Sequence, residues 1–399
     1  MATHSERRRS PEVVDAGDLR AVRRALAMAL RGTGPPILPV AAVDRDRVLR
    51  ILDDATSTDT GQDTESPPAL VMATSGSTGA PKVAVLSAAA LTTSASATHR
   101  RLGGEGQWLL SLPMSGIAGL QVITRSLLEG TEPVVVAPSA PPAEIAAAAA
   151  RMTGRRYAAL VPTQLHRLMA AVGGADALAA FDAVLIGGAA APAALLTTAR
   201  DRGVRIVTTY GMTETAGGCV YDGRPLDAVA VAVDKTGRIR IGGPTVFSGY
   251  LGRPHDTADV LSNGWFVTAD RGRIGDDGLL AVLGRTDDVV VSGGVNVALP
   301  HVSERLLAHP DVTDAVAVGV PDDEWGTAVV AFVVVRTSTS TSTSHDWRAW
   351  VTAGLGRAHA PRRVVTLAEM PMLATGKPDR QSLVRRAQEL MADLEAGTD

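Results

Sequence analysis

From about residue 69 to about residue 210, short apolar runs alternate with segments of helical periodicity. The runs Ala69–Ala73, Gln107–Leu112, Pro133–Val136, Tyr157–Val161, Ala183–Ile186 and Val204–Thr209 predict strands. Between them, Ile117–Leu128, Ala143–Arg151, Thr163–Val172 and Pro192–Arg202 predict helices, the last with proline in a first turn that tolerates it. That alternation is the pattern of an α/β domain, a mostly parallel sheet covered by helices, whose chemistry sits where strands end. From Arg238 to Val291 the texture changes to short β-type runs closely punctuated by glycine, which predicts a small antiparallel subdomain. Beyond Arg285, helix Pro300–Ala308, strands Val312–Val320 and Ala328–Val335, helix Trp347–Leu355, strand Arg363–Leu367 and helix Arg380–Leu394 predict a compact α+β domain. The expected division is therefore a large domain over 1–284 and a small one over 285–399. The alternating tract Thr337–Ser344 reads as an exposed, low-complexity loop.

Composition narrows the partners. A chain of 399 residues with 45% hydrophobic content can bury more than one core. Lys+Arg 39 against Asp+Glu 42 leaves a net charge of -3, so no broad basic field exists for nucleic acid or an anionic membrane. Small molecules are the expected partners; a homodimer stays open. One cysteine, Cys219, rules out an internal disulfide framework and a cysteine-based zinc site, as a reducing cytoplasm allows. Met1 to Arg9 is arginine-bearing but is followed by Ser10-Pro11-Glu12, and no uninterrupted apolar run reaches membrane-spanning length, so a cytoplasmic, soluble protein is expected. The run Ala146–Ala150, opened by Pro141-Pro142 and closed by Arg151, reads as a packed helix.

The densest chemistry follows the first strand: Thr74-Ser75-Gly76-Ser77-Thr78-Gly79-Ala80-Pro81-Lys82. Glycines let backbone approach an anion, hydroxyls donate hydrogen bonds and lysine adds charge, which suits a triphosphate. Counted from Gly76, Pro81 stands where the common P-loop has its second glycine and Val83 where it has Ser/Thr, so this is a different phosphate loop. Taken alone, the run reads more readily as a Ser/Gly-rich surface turn, and it is the motifs downstream that overturn that reading. Tyr210-Gly211-Met212-Thr213-Glu214-Thr215 puts an aromatic face, a hydroxyl and a carboxylate at a strand end, with Glu214 offering the hard oxygen that Mg2+ prefers. Taken alone, Tyr-Gly is a turn and Thr-Glu a helix start. Trp265–Asp270 ends in a carboxylate able to accept from two ribose hydroxyls, with Arg285 alongside, although Arg285 with Asp287 or Asp288 also reads as a surface ion pair. Ala374-Thr375-Gly376-Lys377-Pro378-Asp379-Arg380 sets a lysine in a Gly-Pro turn, usually solvated but able to present a point charge to a phosphate.

Four motifs in this order resemble the adenylate-forming superfamily of acyl-CoA synthetases, nonribosomal adenylation domains and luciferases, over about residues 69 to 392. The stretches Gly211–Asp227 and Leu112–Val122 look most like short actinobacterial o-succinylbenzoate-CoA ligases of menaquinone biosynthesis. The resemblance implies ATP, Mg2+ and CoA, with an organic acid activated as an acyl-adenylate and passed to a thiol. It assigns Lys377, Thr213 and Glu214 to catalysis, the Thr74–Lys82 loop to phosphates, Gly187-Gly188-Ala189 and Tyr210 to the adenine side, and Asp270 with Arg285 to the ribose. Met114, Ser115, Gly116, Thr163 and Gln164 would line the acid pocket. The small domain would be mobile, turning near Asp287 to exchange Lys377 for the Gly293-Gly294 segment in the thioester step. Such ligases usually carry histidine just before the Ile-x-Gly of the Leu112 segment; here Ser115-Gly116 precedes Ile117, removing an imidazole from the pocket wall. A second reading is a natural-product adenylating enzyme that serves a carrier-protein thiol or another nucleophile, such as nitrite with an aryl amine. A nucleotide-binding protein without catalysis is disfavoured by the retention of Lys377 and Glu214. Cys219 reads as a buried filler.

Overall fold

The structure is a computed structural model and describes residues 10–57, 67–74, 82–336, 346–373 and 378–396. Its described residues form two compact units, one running to Thr268 and resuming over Arg273–Ala281, the other made of Ala269–Gly272, Val282–Leu373 and the C-terminal helix.

The first unit is built on a seven-stranded sheet in the order Arg224–Pro225, Gly217–Tyr221, Ile206–Met212, Ala183–Ile186, Arg156–Leu160, Gln107–Leu110, Val134–Val135. The last five are parallel to one another and the first two antiparallel to their neighbours. Alternate residues of one strand enter different cores: Tyr157 and Ala159 pack with Leu91, Leu120 and Leu185, whereas Ala158 and Leu160 pack with Ile145, Leu165 and Leu178. Both faces are covered, so the strands read as continuous apolar runs. Proline opens two of the covering helices, Pro142–Arg151 and Pro162–Ala170, where its missing N–H is no loss.

A second sheet of this unit runs Glu12–Asp15, Ile37–Val40, Pro68–Thr74, Lys82–Ser87, Gly249–Tyr250. Its first two strands and the helices Leu19–Leu30 and Arg45–Ser57 precede residue 69, where the sequence reading placed no element. The helix Leu19–Leu30 buries Val22, Ala25, Leu26 and Ala29, a spacing that marks one helical face. A third sheet, Ala230–Val233, Arg238–Gly242, Trp265–Ile274, Leu261–Ser262, lies where the glycine-punctuated region was expected to form antiparallel strands, and its outer pairs are antiparallel. The described helices include none long and apolar enough to cross a membrane; Pro142–Arg151 buries Ile145, Ala148 and Ala149.

In the second unit a three-stranded sheet, Val312–Asp322, Gly326–Val335, Arg363–Leu367, again has two buried faces. Ala315 and Ala317 pack with Leu299, Val302, Leu306 and Val351, while Val316 and Val318 pack with Leu383, Ala387 and Met391. Helices Leu299–Leu307 and Trp347–Leu355 therefore cover one face and Arg380–Ala396 the other.

Candidate active site

The carboxyl ends of Gln107–Leu110, Arg156–Leu160, Ala183–Ile186 and Ile206–Met212 lie side by side in register, with Leu160 opposite Ile186 and Ile186 opposite Thr208. The chain leaving each strand carries one of the groups expected to act: Met114-Ser115-Gly116, Thr163-Gln164, Gly187-Gly188-Ala189 and Tyr210 to Glu214. Ligands of parallel sheets bind at such strand ends.

Close backbone approach explains the glycines. A Cβ on Gly187 would lie 2.1 Å from Thr209 Oγ1, and one on Gly211 would lie 2.1 Å from Gly217 O. Beyond Met212 the chain turns through Thr213–Thr215 into Ala216, whose φ of 52° is left-handed. Five hydrogen bonds fix that turn. Thr215 Oγ1 donates to Gly217 O at 2.8 Å, while Ser94 Oγ and Gln121 Nε2 donate to Ala216 O at 3.0 and 2.8 Å. Phe247 N donates to Glu214 O at 2.9 Å, and the Tyr250 hydroxyl donates to Glu214 Oε1 at 2.9 Å. The carboxylate is thus aimed by a tyrosine from another sheet.

Thr74 and Lys82 face each other across the strand pair that brackets the phosphate loop, and Thr74 Oγ1 donates to Lys82 O at 3.3 Å. Ser75, Gly76, Ser77, Thr78 and Gly79 lie outside the described residues. Lys82 Nζ is 2.8 Å from Asp256 Oδ1 and 4.9 Å from the centre of the Tyr250 ring. Neither Tyr250 nor Asp256 was singled out by sequence reasoning. Gln164 accepts from Val161 N and donates to Ser111 O and Pro138 O, each at 3.0 Å, so its amide braces the segments leaving two strands. Thr163 is exposed beside it, Met114 is buried, and the enclosed Ser115 Oγ has no hydrogen-bond partner among the described residues. Gly116 caps the helix Ile117–Leu128 at φ -114°, ψ 149°, an extended conformation open to any residue. Cys219 is fully buried, and burial pushes its thiol up to about 12, which fits a filler and not a nucleophile.

Within the second unit, Asp270 and Arg285 meet, Arg285 Nη1 lying 3.6 Å from Asp270 Oδ1. Asp288 pairs with Arg380 at 2.8 Å. Asp287 sits in the short turn Thr286–Asp288 between strands Leu280–Arg285 and Val289–Ser292. Gly293 and Gly294, at φ 57° and 78°, make the two-residue turn that pairs Ser292 with Val295. Lys377 lies outside the described residues; Met372 and Pro378, on either side of it, form an isolated bridge.

Residues 21–251 match the AMP-binding enzyme family, and residues 301–377 match the AMP-binding enzyme C-terminal domain. The chain belongs to the AMP-binding enzyme family. A probable 2-succinylbenzoate–CoA ligase of Mycobacterium tuberculosis (strain H37Rv) is 42% identical to this AMP-binding enzyme over 378 residues, 94% of this chain and 97% of the relative. A solved structure of an arginine-to-lysine variant of E. coli MenE with bound OSB-AMS is 27% identical, with TM-score 0.73 over 91% of this chain and 84% of that one. The amide bond synthetase McbA from Marinactinospora thermotolerans is 25% identical, with TM-score 0.72 over 94% of this chain and 96% of that one. The family match begins at residue 21, so the strand Ile37–Val40, the helix Arg45–Ser57 and all but the first two residues of Leu19–Leu30 fall within it.

Proposed function

We propose that this AMP-binding enzyme is an ATP-dependent acid–CoA ligase acting on o-succinylbenzoate or a closely similar aryl-keto acid. The observation that carries the reading is the 42% identity, over nearly the whole of both chains, to the probable 2-succinylbenzoate–CoA ligase. In the proposed reaction the acid's carboxylate attacks the α-phosphorus of ATP, pyrophosphate leaves, and a thiol then displaces AMP from the acyl-adenylate. The chain's part is positioning and charge. Tyr210 packs on adenine beside Gly187-Gly188-Ala189, Thr213 and the Thr74–Lys82 loop hold phosphate oxygens, and Lys377 adds charge during adenylation. Asp270 and Arg285 hold the ribose. Glu214, its turn fixed by five hydrogen bonds, offers a hard carboxylate oxygen that would hold Mg2+ near the phosphate oxygens. When bound, the ion neutralises charge on those oxygens. We assign the turn Thr286–Asp288 as the pivot about which the second unit withdraws Lys377 and presents Gly293-Gly294 for the thioester step.

Ser115-Gly116 supports a second reading, in which the acid or the acceptor differs, and the likeness to an amide bond synthetase adds an amine to the candidate acceptors. Purified protein with ATP, Mg2+ and o-succinylbenzoate should release pyrophosphate in a slow burst without CoA and turn over continuously with it. Continuous turnover with an amine or a carrier-protein thiol, and not with CoA, would favour the second reading.

A further inference from the structure

We propose that Asp256 is an anionic place-holder for Lys82: its carboxylate holds the ammonium group that the reaction hands to a nucleotide phosphate. The inference rests on the ATP-dependent reading above. Lys82 and Asp256 are 174 residues apart in sequence and meet at 2.8 Å, with the ammonium also set over the Tyr250 ring at 4.9 Å. The same ring donates its hydroxyl to Glu214 Oε1 at 2.9 Å. One tyrosine therefore fixes the distance between the lysine at the mouth of the phosphate loop and the carboxylate assigned to Mg2+.

Asp256 is held where it can serve this purpose repeatedly. Its short helix, Pro254–Val260, is tied to the strand Gly249–Tyr250 through Thr257, whose Oγ1 accepts from Tyr250 N at 2.9 Å and donates to Arg253 O at 2.8 Å. Its second oxygen lies 3.8 Å from Arg253 Nη1, so the carboxylate keeps a cationic neighbour when Lys82 turns away. The Lys82 and Asp256 side chains keep 28% and 32% of their exposure, which makes this a weak pair. A triphosphate carries more charge and several acceptor oxygens, so it outcompetes one carboxylate for the ammonium. When product leaves, Asp256 takes the lysine back, and the charge is never left unpaired.

A competitor for Lys82 weakens nucleotide binding, and this gives the proposal a sign that loss of structure does not share. Calorimetric titration with MgATP of wild type, Asp256→Asn, Lys82→Met and the double variant measures it. Asp256→Asn should bind MgATP about threefold more tightly, the worth of an exposed ion pair. Lys82→Met should bind more weakly, and Asp256→Asn should add nothing in that background. Asp256→Ser repeats the test without an amide and should tighten binding in the same way. Unchanged or weaker binding by both Asp256 variants, or equal tightening without Lys82, would overturn the place-holder alone. A wild-type protein that binds no MgATP would overturn the nucleotide reading and the place-holder with it.

Discussion

Asp270 keeps only 7% of its surface exposed and has Arg285 at 3.6 Å, so its carboxylate is oriented before any ligand arrives. If it accepts from the ribose hydroxyls, Asp270→Ala should weaken MgATP binding roughly 10- to 150-fold, the loss of one hydrogen bond to a charged group. Affinity for the acid alone should not change; nucleotide binding at wild-type strength in a calorimetric titration would remove Asp270 from that role. A second residue-scale effect lies in the core. Trp108 Nε1 donates to His99 Nε2 at 3.0 Å, which places the imidazole proton on Nδ1, 2.9 Å from Glu129 Oε1. Burial, then Arg125, holds His99 down at about 4 against an upward pull from Glu105. The unfolded chain therefore binds a proton, near pH 6.5, that the folded chain refuses until about pH 4. This contribution is complete above about pH 6.5 and shrinks as pH falls, by about 2 to 3 kcal/mol between pH 7 and pH 4.5. His99→Gln, which keeps an acceptor for the indole, should flatten that part of the pH dependence in urea unfolding. An unchanged slope would mean His99 is already charged in the folded protein.

Elements explain which parts of this architecture sequence can disclose. The strands Ala183–Ile186 and Gly326–Val335 are buried on both faces and announce themselves as apolar runs. The helix Leu19–Leu30 carried an equally clear apolar stripe, yet its place beside the phosphate-loop sheet follows only from the parallel pairing of Glu12–Asp15 with Ile37–Val40 and of the latter with Pro68–Thr74. Motifs singled out Glu214 and Lys82 as candidates. They gave no sign of Tyr250 or Asp256, because a short Gly-Tyr strand and a seven-residue helix acquire their roles only by meeting residues far away in the chain. Gln164 shows the reverse: the sequence places it at a pocket, and the fold spends its amide on three backbone groups. The Gly293-Gly294 turn offers an element-scale test. A Cβ at Gly293 would meet the Trp325 ring at 2.5 Å, whereas one at Gly294 would meet nothing within 4 Å. Both alanines strain a left-handed φ by about 1 kcal/mol, but Gly293→Ala must also displace the indole. Gly293→Ala should lower thioester formation from a supplied adenylate well below Gly294→Ala, with adenylation little changed in both. Equal effects would place the functional contact elsewhere on the hairpin.

At the scale of the whole molecule, the described core clusters divide cleanly: three contain residues up to Phe266 and Leu280, and two contain residues from Val297 onward. Separate sets of cores for the two units are what the proposed movement of the second unit as a body requires. In the proposed scheme the acid and nucleotide groups at the strand ends of the first unit serve both reactions, whereas Lys377 serves adenylation and Gly293-Gly294 the thioester step. The central claim is that these parts join an acid to CoA at the expense of ATP. Its most direct test is the stoichiometry of products when purified protein is given o-succinylbenzoate, MgATP and CoA, with thioester, AMP and pyrophosphate each quantified over the same time course. The three should appear in equal amounts, and thioester should be absent when any one of the three substrates is withheld. AMP and pyrophosphate formed without thioester, or no consumption of ATP across o-succinylbenzoate and similar aryl-keto acids, would contradict the account.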